Sequence, residues 1–183
     1  MTLAHPPREV YLSVDVETGG PVPGVHSLLS LGACVVGETE RSFYAELRPV
    51  AGTSCTPEAL AVTGLDPITL AQSGSDPNRA ASEFAEWVQR EARDGRPVFV
   101  AFNAPFDWPF VVRLFHEAGI ENPFGHTALD VKAYYMGLAG CSWDETRSSR
   151  LPHLYAIKPE HEHNALSDAV AQAESFESML RSR

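Results

Sequence analysis

Apolar and polar residues alternate in the first patterned stretch of the chain, VYLSVDVETGG, where Val10, Leu12, Val14 and Val16 occupy every second position. A period of two puts these side chains on one face of a β-strand and their neighbours on the other. SLLSLGACVV and RSFYAELRP read as two further strands, joined through Gly37 by a short turn and therefore antiparallel neighbours. The period then lengthens. In CTPEALAVTGLDP, Thr56 is a cap, Pro57 suits the first helical position and Gly64 closes a short helix. Asp76 or Asn78 opens a longer helix with Ala81, Phe84, Ala85 and Val88 on its apolar face. RPVFVAFNA is a buried strand, and FDWPFVVRLFHEAG a helix with Pro109 near its start and Gly119 at its end. HTALD is a short last strand and VKAYYMGLAG a helix closed by Gly140. From Cys141 to Glu160 no period holds. The final helix, NALSDAVAQAESFESMLRS, carries Ala165, Ala169, Ala173 and Phe176 on one side. Three strands, then helices alternating with strands, describe an α/β fold: a mixed sheet with helices on its faces.

Composition narrows this picture only slightly. A length of 183 residues favours one domain, spanning residues 1–183, and 44% hydrophobic with 21% charged residues is ordinary globular content. No apolar run approaches the roughly 20 residues of a membrane span, and the N-terminus lacks a signal pattern, so no membrane partner and a cytoplasmic location are expected. Cys34, Cys55 and Cys141 are odd in number and lack metal spacing, which points to reduced thiols. The net charge of -10 weighs against tight coating of long DNA. It does not exclude a nucleic-acid enzyme, because divalent cations in a carboxylate site attract phosphate locally.

The candidate chemistry lies in the acids. Asp15 and Glu17 project from one strand face and repel each other, so something must compensate them. Asp107, in FNAPFDWPF, has a plain reading as a first-turn residue favoured by the helix dipole. Asp168, in HEHNALSDA, has a plain reading as part of a solvated face, yet it borders the alanine stripe that lets its helix approach the sheet. Four carboxylates converging without an equal supply of Lys or Arg call for divalent metal, with Mg²⁺ or Mn²⁺ suiting oxygen ligands better than Zn²⁺ does. Two such ions about 3.5–4 Å apart are the usual machinery for displacement at phosphorus. His163, five positions before Asp168, supplies a base that titrates near neutrality; His161 competes, but sits two residues further away.

In order, spacing and flanks, DVETGG, FNAPFDWPF and HNALSDA resemble the three exonuclease motifs of the DEDDh 3′–5′ exonucleases. This DnaQ-like group includes polymerase proofreading subunits, RNase T and oligoribonuclease. The resemblance runs from Val10 to about Phe176 and implies an RNase H-like fold: a five-stranded mixed sheet with one antiparallel strand and helices on both faces. It implies two Mg²⁺ (or Mn²⁺) ions, with Asp15 bridging both, Glu17 and Asp168 holding the ion that carries the nucleophile, and Asp107 holding the second. His163 matches the general base. Thr18 and Gly19 resemble residues whose backbone meets the terminal nucleotide, and Leu65 one that wedges against the last base. Phe102, Asn103 and Phe106 surround the second motif, where aromatic faces suit base stacking, with core packing the plain alternative for the two phenylalanines. Asp130 matches a recurrent family aspartate and reads as a helix cap. Arg147, Arg150 and Lys158 are candidates to hold a phosphate backbone, with scattered surface charge the alternative.

The implied activity is hydrolysis at the 3′ end of single-stranded DNA or RNA, releasing nucleoside 5′-monophosphates; the sugar preference stays open. The rival readings are a catalytically silent nucleic-acid-binding module and a polymerase accessory subunit. No long tail follows the last helix, which favours a free-standing enzyme, monomeric or homodimeric.

Overall fold

Alternation along the first strand, β1 (Glu9–Thr18), decides what lies on each side of the sheet. Leu12, Val14 and Val16 enter the larger core, while Ser13, on the other face, donates to the carbonyl of Ala169 at 2.7 Å. In the computed structural model, which describes residues 8–152 and 163–182, β1 pairs antiparallel with β2 (Leu28–Val35) and parallel with β4 (Arg96–Ala101). The edges are β3 (Glu38–Glu46), antiparallel to β2, and the short β5 (Ala128–Asp130), parallel to β4. The order β3-β2-β1-β4-β5 makes β2 the one strand of this sheet that runs against the rest, as the resemblance implies. Gly37, at φ 86°, makes the expected β2–β3 turn.

Helix boundaries follow local chemistry. In α1 (Pro57–Thr63) the Thr56 hydroxyl accepts from the Ala59 amide, Pro57 takes a first-turn place and Gly64 ends the helix in the left-handed conformation. No clear period marks Ile68 to Ser73, yet the structure forms α2 (Pro67–Ser73) there. Its signal was the pair Asp66-Pro67: the Asp66 carboxylate accepts from the Ile68 and Thr69 amides, and proline follows where no amide is needed. Of the two candidate caps for α3 (Pro77–Ala92), Asp76 is the one used. The helix α4 (Ala104–Glu117) begins earlier than its pattern suggests, so Asp107 is buried in its first turn and Pro109 lies inside it. Asp130 caps α5 (Val131–Ala139), as read from sequence, and also accepts from the amides of Asn103 and Ala104, tying two helix starts to one carboxylate. Two 3₁₀ turns, Trp143–Thr146 and Ser148–Arg150, occupy part of the stretch without a period.

The larger core lies between the sheet and α3 and α4, around Phe84, Phe99, Phe110 and Phe115. The smaller lies on the opposite face, where Phe176 and Met179 of α6 (Ala165–Arg181) meet Val100, Val131 and Tyr135. Helices thus cover both faces.

The approach of α6 to the sheet is unusually close, and small residues permit it. Ala165, Ala169 and Ala173 are fully buried, and Cys34 and Ser13 both reach the Ala169 carbonyl. Gly32 lies directly opposite Asp15 in the β1–β2 register, and a Cβ there would stand 2.2 Å from the Ala165 carbonyl carbon. A methyl group at Gly32 must therefore push the first turn of α6 away from the strand that carries Asp15. Gly32→Ala is expected to lower stability by about 1–3 kcal/mol and activity by about 100-fold, although it removes no chemical group. Thermal melts and nuclease assays on the same preparation check this; wild-type rates would mean that α6 tolerates the shift.

Candidate active site

β1 and β4 stay paired only as far as Ser13 and Val100. Beyond that rung they diverge, which strands the β1 groups that pointed at β4. Buried backbone groups need partners. The Val14 carbonyl accepts from Gln172 Nε2 at 2.7 Å, and the same side chain accepts from the Phe102 amide through Oε1 at 2.6 Å. The Val16 amide donates to Asp107 Oδ1 at 3.2 Å. Side chains of α4 and α6 thus replace the missing ladder, and the gap between the strands is where the acids collect.

Asp15 and Glu17 sit on the side of β1 that faces α6, and the register of β2 slips between Glu17 and Thr18, a bulge at the rim of the site. Asp168, one turn into α6, stands with His163 and Glu17 so that one ligand atom of each lies within 4.8 Å of the others. Asn164 separates base from helix: its side chain accepts from the Leu166 and Ser167 amides and so fixes where α6 begins. His163 is exposed, Asp168 half-buried, and Glu17 and Asp107 buried. The sequence-predicted acids and base are all brought to this place. His161 and Lys158 lie outside the described residues.

The field of the cluster is repulsive. Burial, then the charges of Asp107, Asp168 and Glu17, push the Asp15 carboxyl well above the ordinary carboxylate range. Burial and Asp168 push Glu17 up to about 7. Burial pushes Asp107 up to about 8 against the pull of the Val16 amide, with Glu17 and Asp130 adding to the rise. Burial also raises Asp168, opposed by the nearby charge of His163. Among the described residues no Lys or Arg forms an ion pair with any of the four. Oxygen donors this crowded, and this short of cations, fit hard divalent metal.

Beside the acids opens a slot of about 410 Å³, lined by Val16, Thr18, Ala59, Val62 and Phe106 together with Glu17. Phe106, a candidate base contact by sequence, is one of its walls. Other expected contacts fall elsewhere. Leu65 lies past the Gly64 cap and outside the slot, and Val62, one helical turn into α1 and 53% exposed, lines it instead. Gly19 has its amide on the Ser27 carbonyl, so its N–H is taken, and its carbonyl accepts from the Thr56 amide. It is glycine because a Cβ would collide with Cys55 and Ser54. Phe102 packs on the smaller core, away from the slot, and Asn103 takes a left-handed turn at φ 75° before α4. Arg147 and Arg150 share Asp144. The Gly/Pro-rich loop after β1 is ordered by His26, whose Nδ1 accepts from the Val22 amide. Gln172 and Gly32 were missed. Gln172 had a signal, as the polar residue one turn after Asp168 within the alanine stripe.

Acids from a central strand and two flanking helices, meeting at the carboxyl ends of parallel strands on a mixed sheet, define a nuclease centre of the DEDDh class. The chain belongs to the RNase_T exonuclease family, which it matches over residues 12–176, and is a 3′–5′ exonuclease. It is 45% identical over 172 residues to the 3′-5′ DNA exonuclease Cap18 of Escherichia coli, a match covering 92% of this chain and 90% of that one. Ribonuclease T of Salmonella typhimurium is 29% identical over 122 residues, 61% of this chain and 57% of the relative. The nuclease domain of 3′hExo, a DEDDh family member solved with bound rAMP, superposes with a TM-score of 0.77 over 94% of this chain and 92% of that domain. At 13% identity, that likeness is one of fold.

The raised carboxyls have a consequence for stability. Their folded state binds protons more tightly than the unfolded chain, so their contribution is fully present below about pH 4 and is lost as pH rises through about 7–8. The metal-free protein is therefore expected to melt at falling temperatures from pH 5 to pH 8, and Mg²⁺ to restore the loss. Glu17→Gln should raise metal-free stability at pH 8 by about 2 kcal/mol while shrinking the gain from Mg²⁺. A Glu17→Gln variant less stable than wild type under these conditions would show that the cluster is not repulsive.

Proposed function

We propose that this protein removes nucleotides singly from the 3′ end of single-stranded DNA, releasing nucleoside 5′-monophosphates with the help of two divalent metal ions. The observation that carries the reading is the meeting of Glu17, His163 and Asp168 within 4.8 Å, beside an apolar slot of nucleoside size. DNA is favoured over RNA because the relative that shares 45% of its residues over nine-tenths of the chain is a DNA exonuclease.

The division of labour follows from position. Asp15, whose charge meets those of Asp107, Asp168 and Glu17, would together with those three hold the ions. When bound, these supply positive charge to the phosphodiester and lower the pKa of an attacking water. Val16, Ala59, Val62 and Phe106 remove the terminal nucleoside from water without hydrogen-bond readout of its base, which suits an enzyme that must accept every 3′ nucleotide. His163, at the exposed rim and against Asp168, takes the proton of the attacking water as the base in its neutral form. The Val16 amide on Asp107 and the Asn164 cap before Asp168 hold the acids while the strand advances.

End-labelled oligonucleotides should shorten from the 3′ end in Mg²⁺ or Mn²⁺, and EDTA should stop the reaction. Cleavage of a circular single strand by pure protein would defeat the exonuclease reading. His163→Ala should lose about 10²–10⁴-fold in rate yet keep metal and oligonucleotide binding. Asp15→Ala should lose at least as much and also bind metal more weakly, and His161→Ala should stay near wild type. Calorimetry of Mn²⁺ binding beside single-turnover rates separates the three; a dead His161→Ala with an active His163→Ala would move the base assignment to His161.

A further inference from the structure

We infer that Trp143 and Lys132 form a second nucleic-acid contact beside the catalytic cleft, a stacking and phosphate platform for nucleotides upstream of the scissile one. The inference rests on the exonuclease reading above and adds to it the part of the substrate that the slot does not reach.

The distribution of cations is the first observation. Among the described residues Arg41, Arg48, Arg79, Arg90, Arg113 and Arg181 are each paired to a neighbouring carboxylate. Arg8, Arg93 and Arg96 lie at the other end of the sheet, where β1 and β4 begin. Lys132 is at the catalytic end and forms no ion pair among the described residues. It stands instead against two aromatic rings, with Nζ 4.3 Å from the centroid of Trp143 and 5.9 Å from that of Phe102. An ammonium held by ring faces keeps its charge available to an anion, which a carboxylate partner would neutralise.

The second observation is the setting of Trp143, which is 50% exposed although it belongs to an ordered turn. Glu145 accepts from the Ser142 amide and hydroxyl, and Thr146 Oγ1 donates to the Trp143 carbonyl, so the backbone under the ring is pinned on both sides. A large ring fixed at its base and left in water is a stacking surface with little ordering entropy still to lose. Arg147 and Arg150 next to it are balanced by Asp144 and Glu145, so Lys132 is the charge left over at this place in a chain of net charge -10.

The third observation is location. The Asp130 carboxylate accepts from the amides of Lys132, Asn103 and Ala104. That carboxylate fixes the platform to the first turn of α4, which bears Asp107. On this proposal a strand with its 3′ end at the acids runs past the α4 start to Lys132 and Trp143.

The test compares a thymidine dinucleotide with longer oligothymidylates. Trp143→Ala and Lys132→Ala should raise KM for the longer substrates by about 5- to 100-fold and leave the dinucleotide rate unchanged. Trp143→Phe should recover most of the loss, and Lys132→Ala should flatten the salt dependence of binding by about 0.7 in log–log slope, one phosphate contact. Indole fluorescence, read in Ca²⁺ without turnover, should be quenched by oligothymidylate in wild type and not in Trp143→Ala. Equal KM values for wild type and variants on long substrates would overturn the platform, as would equal losses on dinucleotide and long substrates. Quenching without hydrolysis of any substrate would keep the platform and sink the exonuclease reading.

Discussion

Two backbone groups of β1, the Val14 carbonyl and the Val16 amide, lose their partner strand where β4 turns away. Their need for hydrogen bonds organises the site, because in a buried strand an unpaired group costs about 1–3 kcal/mol. Gln172 satisfies one and Asp107 the other. Each answer draws a helix to the gap: α6 with Asp168 one turn before Gln172, and α4 with Asp107 itself. The break in pairing and the convergence of acids are one feature. A sheet paired to the end would have no cleft there and no reason to hold Asp107.

The same convergence works against the fold. Four carboxylates occupy a space where burial raises the pKa of each, and neighbouring acids push Asp15, Glu17 and Asp107 further up. The scaffold withstands this because α6 is bound tightly for independent reasons: its alanines are buried, Gly32 leaves room for its first turn, and Phe176 and Met179 anchor its far end. The packing of α6 offsets the charge repulsion gathered between its first turn and β1. Metal would release that strain.

Specificity is arranged by distance from the acids. Next to them the walls are apolar and shallow in chemical information, as a processor of any 3′ end requires. Around them the surface is acidic and paired, with positive charge left at Lys132. A short track of this kind suits a protein that grips a strand end rather than coating its length.

The periodicities of the chain determined a great deal by themselves. Alternation in β1 placed Asp15 and Glu17 on one face, the alanine spacing in α6 marked which side of that helix packs, and capping residues such as Thr56, Asp76 and Asp130 set helix starts. These are local rules, written in neighbours a few residues apart. What they left open depends on partners far along the chain. That Val62 and not Leu65 lines the slot depends on how α1 leans on β1, that the Gly19 amide is taken depends on Ser27, and that Phe102 turns to Lys132 depends on where α5 starts. The role of Gln172 is plainest of all: nothing in its neighbourhood of sequence tells that β1 and β4 will part beside it. Only the tertiary structure decides such matters, because a hydrogen bond between Gln172 and Val14 is a fact about two strands and a helix, separated by most of the chain.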